Sequence, residues 1–360
     1  MDRALRFPPP PSPLARASLA IGCGLALGAI AAGSSGAATA AAGTGERPAA
    51  RVTAHAAAVA DPVLARLGLP PLRGRSALPG YLLIADRDNN RLIIVNPRKQ
   101  IVRRFPRLPG PDDAFVSANG RYVSTNEEFS ETITVLTLAR HPRIVWRYGH
   151  RGVEGSSYGY LAHPDDAYLL ANGRIQVADI INCRVLWINH AKQIVRSLGH
   201  AGACGHDPPR TFSSPNGDTP LPDGGVLVTE IGGWIDRIST SRRLLWSIRS
   251  PTDYPSDAQL LPNGRVLVAA YNSPGRIDVL GRGGRIVWSY GPASGPGALD
   301  HPSLAIKLPN GMIAANDDFH HRVVVINMRT KRIVWQYGHD GSPGSGPGYL
   351  RNPDGIDLVP

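Results

Sequence analysis

A unit of about 47 residues recurs from Tyr81 to the C-terminus, and a period of that size belongs to propeller blades. Its clearest copy runs from His163-Pro-Asp-Asp-Ala through Asn172-Gly173 to Cys183-Arg-Val-Leu-Trp and Gln193-Ile-Val-Arg-Ser. Each copy reads as four short strands. The Asn-Gly or Asp-Gly pairs at 119–120, 172–173, 223–224, 263–264 and 310–311 mark tight hairpins, where glycine supplies the positive φ. Runs of Val, Ile and Leu follow at once, as expected of strands covered on both faces. A Trp recurs in the fourth strand, in Ile144-Val-Trp, Leu244-Leu-Trp, Ile286-Val-Trp and Ile333-Val-Trp, and reads as packing between blades.

The ends set the blade count. Tyr81-Leu-Leu-Ile-Ala-Asp opens a copy that lacks a Pro-led inner strand, while Asn352-Pro-Asp-Gly-Ile-Asp-Leu-Val is an inner strand without a blade. Joined, they complete a sixth blade. The expectation is an all-β, six-bladed propeller over 80–360, closed by pairing the C-terminal inner strand with the N-terminal blade, which leaves no free interior edge.

Two segments, Tyr337-Gly-His-Asp-Gly-Ser-Pro-Gly-Ser-Gly-Pro-Gly-Tyr-Leu-Arg-Asn-Pro-Asp-Gly-Ile and Ala85-Asp-Arg-Asp-Asn-Asn-Arg-Leu-Ile-Ile-Val, resemble NHL-repeat six-bladed propellers. The resemblance covers 81–360. It implies a binding or scaffold role for a small molecule, peptide or glycan at the propeller mouth. The Arg-Ile-Val-Trp strands are also similar to repeats of quinone-dependent dehydrogenases, and here they read as blade packing rather than a cofactor site.

Ahead of the ring, Arg3, Arg6 and Arg16 precede an apolar run and Ala38-Thr-Ala40 offers small residues for cleavage, so 1–40 reads as a secretory signal peptide. An uncleaved N-terminal anchor is the alternative. Residues 41–79 read as an Ala/Pro-rich linker with one helix-like stretch beginning at Asp61. Removing the leader leaves Cys183 and Cys204, which the topology places in a turn and a link on one face, so a disulfide is expected in an oxidising compartment.

The turns between third and fourth strands hold Arg98, Lys99, Arg140, Arg143, Lys192, Arg242, Arg243, Arg282, Arg285, Arg329, Lys331 and Arg332. With the net charge of +11, they make one basic face, which reads as a solvated surface or as one that attracts an anionic wall polymer or lipid headgroups. Base-stacking aromatics do not interleave with them, so specific nucleic-acid recognition has no support. The opposite face is expected to be acidic, with Asp86, Asp88, Asp112, Asp113, Glu127, Glu128, Asp165, Asp166, Asp179, Asp317 and Asp318, and to hold most of the histidines.

The mouth candidates are His163, Asp166, Asp113, Asp257, His301, His320 and Asp317. A central Zn²⁺ or Ca²⁺ is one reading of this mixture, with His163, His301 and His320 as nitrogen ligands, and polar groups lining a wet channel are the other. Asp86, Asp179 and Asp317, with Arg91, Arg184 and Arg322, also fit a structural pairing across a turn. Binding by a monomer is the leading functional expectation. The alternative is an enzyme using the same mouth, either a metal-dependent lyase or hydrolase or a sulfotransferase resembling the propeller arylsulfotransferases. No Ser-His-Asp signature or phosphate loop is present.

Overall fold

The computed structural model describes residues 62–72 and 74–359; the leader read at 1–40 and the beginning of 41–79 lie outside these residues. Among the described residues are six antiparallel sheets of four strands each. Blade 1 consists of β1 (Tyr81–Asp86), β2 (Arg91–Val95), β3 (Ile101–Arg104) and, from the far end of the chain, β24 (Pro353–Val359). Blade 2 holds β4 (Ala114–Val116), β5 (Tyr122–Glu127), β6 (Thr132–Thr137) and β7 (Ile144–Gly149). Blade 3 holds β8 (Pro164–Leu169), β9 (Ile175–Asp179), β10 (Arg184–Ile188) and β11 (Ile194–Gly199). Blade 4 is β12 (Pro215–Pro220), β13 (Val226–Glu230), β14 (Trp234–Ile238) and β15 (Leu244–Arg249). Blade 5 is β16 (Pro255–Leu260), β17 (Val266–Ala270), β18 (Arg276–Leu280) and β19 (Ile286–Tyr290), and blade 6 is β20 (Ala305–Lys307), β21 (Ile313–Asp317), β22 (Arg322–Asn327) and β23 (Arg332–Gly338).

The inner strands neighbour one another in a circle, β4 beside β8, then β12, β16, β20, β24 and again β4. Strand β24 pairs antiparallel with β1, with Tyr81 opposite Val359 and Ile84 opposite Ile356. Gly355 lets β24 approach β4, because a Cβ at this position would lie 2.5 Å from the Asp113 Cα.

Apolar residues of adjoining blades form the core, for example Leu82, Ile93 and Ile356 of blade 1 with Val323, Val325 and Tyr337 of blade 6. The fourth-strand tryptophans also bond across the gap. Trp146 Nε1 donates to the His190 carbonyl of blade 3, Trp288 to Met328 of blade 6 and Trp335 to Pro97 of blade 1, at 2.9–3.0 Å. Part of the segment read as linker belongs to this core: 62–67 is helical, and Val63, Leu64 and Leu67 are buried against blades 1 and 2. Among the described residues no helix is long and apolar enough to cross a membrane.

Cys183 and Cys204 form a disulfide across a sequence separation of 21. It ties the turn after β9 to the link into blade 4. Closing a loop of this length removes about 3 kcal/mol of unfolded-chain entropy.

The charge distribution departs from two opposed charged faces. The twelve named turn cations are exposed, but of the eleven acids assigned to the other face only Asp88 is exposed. The other ten are buried, some in clamps between blade and link and some around the axis. Most of the acids expected on that face are interior, while Asp207, Asp223 and Asp253 lie exposed elsewhere.

Candidate functional site

Four inner strands, β8, β12, β16 and β24, open with a Pro, and Pro111 and Pro302 lie three residues before β4 and β20, so these segments bring their first residues around the upper axis. Strand alternation would send adjacent side chains to opposite faces. The register breaks that rule: β8, β12, β16 and β24 each shift where they pair with the second strand. A bulge re-aims side chains, and Asp166 at this position has φ 54. Asp165 and Asp166 thereby join one buried group, together with Asp112 and Asp113, which lie just before β4, where the register is unbroken. Asp112, Asp113 and Asp165 have carboxylate oxygens within 4.8 Å of one another, and so do Asp113, Asp166 and Asp257.

Asp113 belongs to both trios. Around them Asp218, Asp318 and Asp354 are also buried, which brings eight carboxylates into the channel region. The cation there is Arg87, which donates to Asp112 at 3.0 Å and also bonds Asp354. Burial opposes its charge, yet Asp354 and Asp112 outweigh that and raise its pKa. Below, the rings of Phe115 and Tyr168 stack at 3.9 Å.

Backbone and amide donors satisfy only part of this negative charge. Asp165 accepts from Asn126 and from the Asp166 amide, Asp166 accepts the Asp218 amide at 3.0 Å, and Asp257 accepts the Ala258 amide at 2.8 Å. One oxygen of Asp318 is buried without a hydrogen bond. Desolvation, and then the neighbouring carboxylates, push Asp113, Asp165 and Asp166 well above the usual carboxylate range. Burial lifts Asp257 to about 7. Such groups must share protons or take up a cation.

Aromatic rings and imidazoles surround the mouth. Tyr271 lies 4.9 Å from Tyr254 and 4.8 Å from His301, whose ring is 4.5 Å from Phe319. His301 Nδ1 is 2.5 Å from Asp300. On blade 3, His163 faces three glutamates, with Nδ1 3.6 Å from Glu128 and Nε2 3.4 Å from Glu154 and 3.9 Å from Glu131. Its pKa is raised, first by the hydrogen bond to Glu128. Phe129 stands edge-on at 5.5 Å.

His320 and Asp317 do other work. Buried Asp317 accepts the Asp300 amide at 2.6 Å and Arg322 Nε at 2.7 Å, and His320 Nδ1 sits 3.1 Å away. The same clamp recurs with Asp86, Asn89 and Arg91 and with Asp179, Asn182 and Arg184, where the Asn also holds the carbonyl of Gly344 or Gly155. His320 thus occupies an asparagine's place, and His163, His301 and His320 each face different carboxylates. Replacing Arg322 by Ala leaves Asp317 buried without its guanidinium and should cost about 3–5 kcal/mol in denaturant unfolding at pH 7.

Of the mouth candidates, the structure brings Asp113, Asp166 and Asp257 together. Sequence reasoning left out Asp112 and Asp165 as partners in the same trios, and Asp218 and Asp354 altogether. The available signal was the Pro-x-Asp opening of the inner strands, which recurs at Pro111, Pro164 and Pro255. Two grooves lie elsewhere, one of about 230 Å³ with Tyr122, Trp146 and Leu169, the other of about 520 Å³ with Arg103, Arg104, Arg140 and His141.

No family model and no curated protein matches the chain. Among solved structures, a Bacteroides caccae protein of unknown function is 19% identical, with a TM-score of 0.55 over 77% of this chain and 97% of that one. A chain of a nidogen/laminin complex is 14% identical, with a TM-score of 0.53 over 77% and 97%. A streptogramin B lyase is 18% identical, with a TM-score of 0.48 over 73% and 80%. The protein is a six-bladed β-propeller. At these identities the likeness is one of fold.

Proposed function

We propose that the protein is an NHL-type binding propeller that holds an oxygen-ligating divalent cation, Ca²⁺, in its axial channel and takes a small molecule, peptide or glycan at the mouth above it. The observation that carries this reading is Asp113, shared by two buried carboxylate trios in a region whose charge Arg87 alone does not balance. An all-carboxylate donor set suits Ca²⁺, which takes six to eight oxygens, and does not suit Zn²⁺, which favours nitrogen and sulfur. Asp113 and its neighbours would hold the ion, and Tyr271, Phe319 and His301 would face a ligand. The repeated Asp-Asn-Arg clamp supports the NHL affiliation.

The lyase or hydrolase reading has less support, since its three histidines face separate carboxylate partners. A sulfotransferase needs a nucleophilic imidazole among guanidinium groups, whereas His163 and His301 stand among carboxylates. Export by the leader and a mouth open to extracytoplasmic ligands complete the proposal. The exposed arginine turns suit an anionic wall polymer or lipid headgroups as a docking partner.

Isothermal titration calorimetry of chelated protein with Ca²⁺ tests the channel. Asp113→Asn, which removes charge from both trios while keeping shape, should weaken Ca²⁺ at least tenfold. Equal affinity in both proteins would place the ion elsewhere and end this reading.

A further inference from the structure

Blade 4 breaks the clamp. In blades 1, 3 and 6 the acid ending the second strand pairs directly across from an arginine, Asp86 with Arg91, Asp179 with Arg184 and Asp317 with Arg322. In blade 4 the same positions hold Glu230 and Trp234. A second acid, Asp236, lies two residues on in β14, where those blades carry Ile93, Leu186 and Val324. Blade 5 also has an acid there, but Asp278 is paired with Arg276 at 2.7 Å. Blade 4 therefore contains two fully buried carboxylates where blades 1, 3 and 6 have a carboxylate and a guanidinium.

His206 meets them. It comes from the link into blade 4, two residues beyond the disulfide-bonded Cys204. Its Nδ1 is 2.8 Å from Glu230 Oε1 and 3.8 Å from Asp236 Oδ2. Trp234 stacks on the imidazole at 4.0 Å and 6° and fixes the ring plane. The other nitrogen, Nε2, has Ser247 Oγ at 3.4 Å, the kind of outer partner that orients a metal-bound histidine. Neither oxygen of Asp236 makes a hydrogen bond of good geometry, although Glu230 and Ser247 are close and the residue is 0% exposed.

We propose that His206, Glu230 and Asp236 form a Zn²⁺ site, separate from the axial channel, with the fourth position open on the partly exposed histidine side. Bonds of about 2 Å in a tetrahedron separate ligand atoms by ~3.3 Å, and the two measured separations bracket that value. One imidazole and two carboxylates suit Zn²⁺ better than Ca²⁺. The ion supplies the positive charge that arginine supplies in blades 1, 3 and 6, and the disulfide holds its histidine ligand in place.

Equilibrium dialysis of chelated full-length protein against Zn²⁺, with saturating Ca²⁺ present to occupy oxygen sites, tests this. One Zn²⁺ per chain is expected, weakened at least tenfold by Asp236→Asn and by His206→Ala and unchanged by Asp113→Asn. Zinc-free Asp236→Asn should melt no lower than the native protein, since Asn keeps the side chain's shape while ending the crowding of two buried carboxyls, so lost binding is separable from lost folding. Tight zinc binding by Asp236→Asn, or its loss in Asp113→Asn instead, would overturn the proposal. Neither result depends on whether Ca²⁺ occupies the channel.

Discussion

Chelated protein is expected to lose stability as pH rises from about 5 to 8, and Ca²⁺ is expected to restore it at the upper end. The sign follows from the channel acids. Burial raises Asp257 from 3.8 to about 7, and Asp113, Asp165 and Asp166 move in the same direction. A folded-state pKa above the unfolded value means that the fold binds the proton more tightly. The associated stability is present below about pH 4 and disappears as pH climbs through the folded pKa. For Asp257 alone this is on the order of 4 kcal/mol. Glu131, raised to about 7 by burial, adds to the trend.

A cation at hundredfold its dissociation constant returns about 3 kcal/mol, roughly 5 °C in melting temperature for a domain of this size. At pH 5 protons occupy the same oxygens, so the Ca²⁺ effect should be small there. Melting curves with and without Ca²⁺ at pH 5 and pH 8 check both halves. A chelated protein equally stable at both pH values and unmoved by Ca²⁺ would mean that the carboxylates are neutralised some other way.

Deleting residues 353–360 should abolish cooperative folding. The deletion removes β24 from blade 1, and with it the ladder opposite Tyr81, Leu82, Leu83 and Ile84. It removes buried Ile356 from the core between blades 1 and 6 and takes Asp354 away from Arg87, leaving that guanidinium with less compensation at low exposure. The inner edge of β1 would face the axis unpaired. Circular dichroism during thermal unfolding should show a sharp transition for the native chain and a broad one, or none, for the truncated chain. A truncated chain with a native-like transition would show that the ring does not depend on this strand.

The blade count and strand order were legible because they rest on local chemistry. Turn glycines, apolar second strands and the repeated tryptophans recur at fixed offsets, and each obeys a rule that needs no tertiary knowledge. The disulfide followed from topology for a similar reason. The site was only partly legible. Asp113, Asp166 and Asp257 form one trio, but Asp165 joins their neighbourhood beside Asp166 because a bulge in β8 cancels ordinary alternation, and bulges are not written in residue type; Asp112 lies just before β4, outside any strand whose alternation could place it. His320 misled because an imidazole in an asparagine's place in a clamp looks like a free ligand. His206 was overlooked because its partners Glu230 and Asp236 come from a different repeat, and their meaning appears only when blade 4 is compared with blades that kept the arginine. The acids expected on a surface proved buried because the same links and turns that reach the mouth also pack down onto the blades.

The most direct measurement is anomalous X-ray diffraction from crystals of the full chain grown with Ca²⁺ and measured at long wavelength. An anomalous peak on the axis, about 2.3–2.6 Å from oxygens of Asp113 and its trio partners, is the expected result. A channel without a peak at saturating Ca²⁺, with the carboxylates paired closely enough to share protons, would contradict a cation-holding propeller.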